Sequence, residues 1–202
     1  MQNCQSGRSM IEMLGVLAIV GVLSMGGLAG FSKMMTQYKI NATMQQINII
    51  SAKLSALGSQ VSSYGGLDNA NAIKLGVVPA EALPDSGSDL RNPFDGTITI
   101  FGSNLLQNGG AQDNQAYVIQ YTGLPSDACI ALASTNWNNS KSSSLLGIGV
   151  GSDAASKIYQ GCPGTSAVAC PEGSVTQLPM DIGKARAACS CTDNCVLVAK
   201  FF

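Results

Sequence analysis

The hydrophobic pattern of the chain begins with an apolar segment from Met10 to Phe31 that contains one acidic residue, Glu12. A segment of this length is sufficient to cross the hydrocarbon core of a bilayer as a helix. A carboxylate inside such a segment is costly to desolvate and usually has a functional partner. The pattern therefore predicts a membrane-spanning helix in which Glu12 has a specific role.

After this segment the apolar pattern changes from continuous to periodic. Apolar residues recur every three or four positions, which is the spacing of one face of a helix. They are Ile40, Met44, Ile47, Ile50, Leu54, Leu57, Val61 and Tyr64. We therefore expect one helix over residues 8–64, with a membrane segment at 8–31 and an amphipathic segment at 32–64 that packs on a globular core.

Three glycines, Gly26, Gly27 and Gly30, lie close together in the first half of this helix. Each Gly costs a helix about 1 kcal/mol relative to Ala, so the cluster predicts a helix break or a weak point. Small residues also suit close contact between helices in a membrane. The sequence leaves both interpretations open.

Residues 65–202, which we call the headpiece, begin with an irregular stretch that extends to about Asn92. The segments Thr97–Phe101 and Ala116–Tyr121 have the alternation and residue types of strands. The intervening segment Gly102–Gln115 is polar and is expected to be a loop.

Two short helices and a closing strand complete the predicted headpiece. Leu124–Ala133 is expected to be a helix capped by Ser126, Pro179–Cys189 a second helix, and Cys195–Phe202 a strand. The glycine-rich segment Gly147–Gly151 lacks the strand–turn–helix context of a phosphate loop and is interpreted as a turn. These elements predict an α+β fold in which an antiparallel sheet packs on the C-terminal half of the long helix.

The composition excludes several classes of function. The chain has 11 Lys and Arg against 12 Asp and Glu, with no basic cluster, so no nucleic-acid surface is expected. Histidine is absent, which removes the commonest general base and metal ligand. We therefore predict a protein that is not an enzyme and that has no cofactor or bound metal.

The cysteines are concentrated in the headpiece. Of 7 cysteines, one is Cys4 and the other six follow in the headpiece. They are Cys129, Cys162, Cys170, Cys189, Cys191 and Cys195. An even number of cysteines in an exported domain indicates three disulfides formed in an oxidising compartment. The alternative is zinc bound by Cys162, Cys170 and the three cysteines from Cys189 to Cys195, but their spacing differs from paired C-x-x-C knuckles.

The N-terminal residues resemble those of a type IV prepilin. Gly7 is followed by Arg8 and, at the fifth position after the glycine, by Glu12 and a long apolar segment. The resemblance implies a leader over residues 1–7, cleavage after Gly7 by a prepilin peptidase, and methylation of the new amine at Arg8. Members of the family usually have an apolar residue where this chain has Arg8.

A second resemblance, to the PilS-like type IVb major pilins, covers segments of the headpiece. Arg91–Ile98, RNPFDGTI, is similar to the family's N-x-W/F-G-G-x-V segment, with Asp95 in place of the first glycine. Leu124–Cys129 and Ala187–Cys189 resemble the segments that carry its paired cysteines. The resemblance therefore implies a Cys129–Cys189 disulfide.

The remaining cysteine pairs are predicted from local spacing. Cys162 and Cys170 flank a loop that contains Pro and Gly, and Cys191 and Cys195 bracket the turn-forming triplet Thr-Asp-Asn. The alternative connectivity exchanges Cys189 with Cys191 or Cys195.

The prepilin resemblance implies a pilus subunit that polymerises with copies of itself through its N-terminal helix. Its other expected partners are the prepilin peptidase, the inner-membrane pilus assembly machinery and, before assembly, the membrane. Glu12 is expected to pair with the N-terminal amine of a neighbouring subunit, and Arg8 is a second cation within reach. The expected location is the inner membrane and then an extracellular pilus, which would serve adhesion, aggregation, motility or DNA transfer. The alternatives are a pseudopilin of a type II secretion system and a membrane-anchored periplasmic binding domain.

Overall fold

The structure is a computed structural model with two units, one ending at Tyr38 and the other beginning at Lys39. It describes residues 10–83, 86–87, 89–107, 110–137, 145–152, 174–175 and 179–202.

Helix α1 covers Met10–Gly58, 49 residues. It continues through Gly26, Gly27 and Gly30, so the helix break predicted at these glycines is absent from the structure. A Cβ atom placed on each of the three would have no neighbour within 4 Å. Main-chain hydrogen bonds continue through this segment because glycine weakens a helix but keeps its main-chain N–H donor. Proline would remove that donor.

The end of α1 is Gly58, which lies before the predicted end at Tyr64. After Gly58 the chain turns, and the Tyr64 hydroxyl lies where a Cβ on Gly58 would overlap it. That hydroxyl donates to the Leu54 carbonyl oxygen at 3.4 Å, one turn before the end of the helix. Tyr64 therefore packs on the core from the turn, while Val61 is 48% exposed.

The amphipathic part of α1 packs on the sheet through the predicted stripe. Ile47 and Ile50 are fully buried, and Met44, Leu57 and Tyr64 pack against the same core. Two polar residues of this face, Thr43 and Gln46, are also buried, which the apolar pattern did not predict.

An antiparallel sheet forms the second layer, with strand order β1-β2-β3-β6-β4-β5. The strands are β1 Leu90–Arg91, β2 Thr97–Gln107, β3 Gly110–Leu124, β4 Leu145–Gly151, β5 Ser174–Val175 and β6 Cys195–Phe201. Residues Ile98, Tyr117, Ile119, Tyr121 and Leu197 belong to the core that includes the α1 stripe. The structure therefore has the predicted α+β layers.

Two predicted connections are strands instead. Within the expected loop Gly102–Gln115, residues 102–107 belong to β2 and residues 110–115 to β3, where Gly102 pairs with Tyr117 and Gln107 with Gly110. The expected glycine-rich turn Gly147–Gly151 lies within β4, which pairs with β6. In both cases main-chain pairing with a neighbouring strand forms the ladder, and this pairing does not depend on side-chain hydrophobicity.

Short helices surround the sheet. They are α2 Asn69–Lys74, a 3₁₀ turn at Ala80–Ala82, α3 Ser126–Ala133 and α4 Ile182–Ala188. The stretch expected to be irregular up to Asn92 thus contains α2, the 3₁₀ turn and β1. Helix α2 begins at Asn69 because the Asp68 carboxylate caps it and accepts a hydrogen bond from the Asn71 main-chain amide at 2.7 Å.

Candidate functional site: the N-terminal helix and the braced headpiece

Glu12 lies in the first turn of α1, within an apolar surface. The large apolar side chains from Met10 to Phe31 are each 52–84% exposed. An 18-residue window of this helix has a mean hydropathy of 2.1, so the helix is long and apolar enough to cross a membrane. Gly7 and Arg8 lie outside the described residues.

The position of Glu12 determines what the carboxylate can do. A helix N-terminus favours a negative charge by roughly 0.3–1 kcal/mol when exposed to water. In hydrocarbon the same carboxylate loses hydration worth several kcal/mol, which only a nearby cation or hydrogen-bond donor can replace. Glu12 therefore favours a partner that brings a positive charge to the N-terminal end of the helix.

The segment that resembles the PilS-like pilins forms a turn organised by Asn92. Its side-chain oxygen accepts hydrogen bonds from the amides of Phe94 at 2.8 Å and Gly96 at 3.2 Å. Its amide nitrogen donates to the Thr122 carbonyl oxygen at 2.8 Å. Asp95 has φ 65°, a region that favours glycine, so the glycine that the resemblance implies at this position would fit without strain.

The same turn contacts α1 and β3. The Lys39 ammonium of α1 lies 5.6 Å from the centroid of the Phe94 ring, which is cation–π distance. A Cβ on Gly96 would overlap the main chain of Thr122, so no larger residue fits there without movement. The turn thus fixes the first hairpin of the sheet to the amphipathic helix.

Two disulfides brace the C-terminal part of the headpiece. Cys129 on α3 is bonded to Cys189 after α4, and Cys191 is bonded to Cys195. Both pairings match the predictions, and the predicted pair Cys162–Cys170 lies outside the described residues. The zinc alternative is wrong for Cys189, Cys191 and Cys195, because a disulfide sulfur is not the thiolate that binds zinc.

Helix α3 begins differently from the prediction. Its N-cap is Pro125, and the Ser126 hydroxyl does not cap it. That hydroxyl instead donates to the Cys189 carbonyl oxygen. Ser126 therefore reinforces the connection that the Cys129–Cys189 bond makes between α3 and the end of α4.

The exposed flank of α1 carries a shallow groove of about 410 Å³. It is lined by Asn41, Met44, Gln45, Asn48, Ile49 and Ala52. None of these residues titrates near neutral pH, so the groove contains no acid–base pair for catalysis.

Comparison with known proteins identifies the family. A family model described as PilS N terminal matches residues 37–200. The toxin coregulated pilin of Vibrio cholerae serotype O1 (strain ATCC 39315 / El Tor Inaba N16961) is 26% identical over 140 residues, which cover 65% of this chain and 58% of that protein. The chain thus matches less than two thirds of the length of that relative.

Two crystal structures share the fold. The type IVb pilin from Salmonella typhi has a TM-score of 0.51 and 16% identity, and covers 79% of this chain and 97% of its own. TcpA, a type IV pilin from the Vibrio cholerae El Tor biotype, has a TM-score of 0.53 and 20% identity, and covers 82% of this chain and 99% of its own. At these identities the likeness establishes the type IV pilin fold.

These findings agree on the class of protein. The matches are to structural pilins, which confirms the prediction of a structural subunit that is not an enzyme. Because the family match over residues 37–200 covers more than half of the chain, the chain belongs to the PilS family of type IV pilins.

Proposed function

We propose that this chain is the structural subunit of a type IV pilus. In this proposal α1 holds a precursor in the inner membrane with its headpiece in the periplasm. A prepilin peptidase removes residues 1–7 by cleavage after Gly7, and the assembly machinery then adds the mature chain to an extracellular fibre. The proposal rests on one observation: a member of a pilin family carries an uncovered apolar helix with Glu12 in its first turn.

The apolar surface of α1 supports both stages of this life cycle. Exposed apolar surface on this scale needs a membrane or a protein partner. Burial is worth roughly 25 cal/mol per Å², so the same side chains stabilise the precursor in lipid and the subunit among neighbouring helices. Gly26, Gly27 and Gly30 have open space around them and would permit close approach of such helices.

Glu12 supports a specific axial register in the fibre. Cleavage after Gly7 would create an α-amine, and the amine of one subunit would pair with the Glu12 carboxylate of the next. A subunit placed out of register would leave both charges buried without partners, at a cost of several kcal/mol. Arg8 supplies a second cation at the same end of the helix.

The test separates membrane insertion, cleavage and assembly. The Glu12→Ala and Glu12→Gln variants should insert into the membrane and be cleaved but yield few fibres, because both lack the carboxylate charge. Gln keeps the size and polarity of Glu, so the second variant isolates the effect of the charge. Glu81→Ala, which removes an exposed carboxylate from the headpiece, is the matched control and should assemble normally. Normal fibre numbers from Glu12→Ala cells would show that the charge pair is not required.

A further inference from the structure

The two disulfides of the headpiece lie next to each other. The Sγ atoms of Cys129, Cys191 and Cys195 are all within 4.8 Å of one another, although Cys129 is bonded to Cys189. A thiolate exchanges with a disulfide by attacking one of its sulfurs directly. Either sulfur of the Cys191–Cys195 bond is therefore placed to become a second partner for Cys129.

The four cysteine residues differ in their exposure to solvent. Cys129, Cys189 and Cys195 are fully buried, whereas Cys191 is partly exposed. Exchange with an external thiol requires access to the attacked sulfur. An external thiolate can therefore reach Cys191 more readily than either sulfur of the Cys129–Cys189 bond.

We infer that these four cysteines form a thiol–disulfide exchange relay, with Cys191 as its entry point. An external thiolate attacks Cys191 Sγ, forms a mixed disulfide there, and releases the Cys195 thiolate. Cys195 then attacks Cys129 Sγ, so that a Cys129–Cys195 bond forms and the Cys189 thiolate leaves. Cys189 attacks the mixed disulfide at Cys191, forms a Cys189–Cys191 bond, and releases the external thiol.

The relay is a rearrangement without net oxidation or reduction. Two disulfides are present before and after, and the external thiol, from glutathione or from the dithiol of an oxidoreductase, is regenerated. Every step reverses, so the relative stability of the folded forms selects the final pairing. For an exported chain, this provides a route by which Cys129 can reach its native partner from within a buried cluster.

The first test removes the native partner of Cys129. Trypsin cleaves after Arg91, Lys141, Arg186 and Lys200. Cys129 is therefore in peptide 92–141, and peptide 187–200 contains Cys189, Cys191 and Cys195. In full-length Cys189→Ser protein, alkylated and digested without reduction, most of peptide 92–141 should remain linked to peptide 187–200 through Cys191 or Cys195. Alkylated Cys129, or Cys129 joined to another peptide, would overturn the inference.

The second test uses native pairing and does not depend on the fold of that variant. The full-length chain in detergent is treated with reduced glutathione, and samples are alkylated at intervals. The opening of the Cys129–Cys189 bond is timed by the appearance of alkylated Cys189, which is located by fragmenting peptide 187–200. The control is the double variant Cys191→Ser, Cys195→Ser, which keeps the buried bond and lacks the relay. The bond should open at least about tenfold faster in the unsubstituted chain, because an intramolecular thiolate acts at high effective concentration. Equal rates would overturn the inference.

Discussion

Two buried tyrosines of β3 provide a matched test of the packing between α1 and the sheet. Tyr117 and Tyr121 are both fully buried, and both belong to the core that includes the apolar stripe of α1. The Tyr117 hydroxyl donates to the Ser51 carbonyl oxygen at 3.0 Å and lies 3.0 Å from the Ser55 hydroxyl. Among the residues that the structure describes, the Tyr121 hydroxyl has no hydrogen-bond partner. Removing the hydroxyl oxygen should therefore lower the free energy of unfolding at Tyr117 and raise it at Tyr121.

The magnitudes follow from the hydrogen bonds. Each hydrogen bond contributes a net free energy of about 0.5–1.5 kcal/mol, and Tyr117→Phe removes two, so the free energy of unfolding should fall by about 1–3 kcal/mol. A buried hydroxyl without a partner costs about 1–3 kcal/mol. Tyr121→Phe removes that cost and leaves only a small void, so stability should rise by about 1 kcal/mol.

Thermal unfolding of the full-length chain in detergent measures the difference. Trp137 is the only tryptophan of the chain and is 8% exposed, with its ring N–H donating to the Leu132 carbonyl oxygen at 3.0 Å. Its fluorescence therefore reports unfolding of the headpiece core. A change of 1 kcal/mol should shift the midpoint by about 2–4 °C for a protein of this size.

A variant at an exposed tyrosine is the control for the thermal-unfolding test. Tyr38→Phe changes a side chain that is 67% exposed and should leave the midpoint unchanged. If Tyr121→Phe lowers the midpoint as far as Tyr117→Phe does, then the Tyr121 hydroxyl has a partner and the reasoning is wrong.

Three further predictions use the same Trp137 fluorescence. Gly96→Ala should lower the free energy of unfolding by about 1–3 kcal/mol, because the alanine methyl group would overlap the main chain of Thr122. An unchanged free energy of unfolding would mean that the strands separate easily. Asp95→Val should lower it by about 1–3 kcal/mol, because a β-branched residue is strained at φ 65°, whereas Asp95→Gly should not. Burial raises the pKa of Tyr121 above its ordinary 10.0, so above pH 10 the unfolded chain loses a proton that the folded chain keeps. Stability should therefore fall with rising pH above about 10, and less steeply in Tyr121→Phe.

The parts of the fold that could be predicted from sequence carry a strong side-chain pattern. The stripe from Ile40 to Leu54 has helical spacing over several turns, and the closing strand from Cys195 is apolar except for Lys200. Both elements are present in the structure. The end of α1 could not be predicted, because Tyr64 keeps the helical spacing while reaching the core from a turn.

The missed strands lack such a pattern. The segment Gly102–Gln115 is polar, and Gly147 and Gly149 in β4 have no side chains with which to show alternation. The two parts of the first segment pair with each other across β2 and β3, whereas β4 pairs with β6, which is distant in the chain. The side-chain pattern of each segment contains no information about its partner.

The disulfides of the candidate site were also only partly predictable from short-range sequence patterns. Cys191–Cys195 could be predicted from spacing, and Cys129–Cys189 came from the family resemblance because its cysteines are separated by 60 positions. The proximity of Cys129 to Cys191 and Cys195 depends on how α3 and the C-terminal segment pack. The sequence had no signal for that arrangement.

Mass spectrometry of filaments sheared from cells expressing the protein tests the central claim most directly. Electron microscopy of the same fraction establishes that filaments are present. The account predicts that this chain is the bulk protein of those filaments and that its first residue is Arg8. A chain that stays in the membrane fraction with residues 1–7 attached, or is absent from the filaments, would contradict the account.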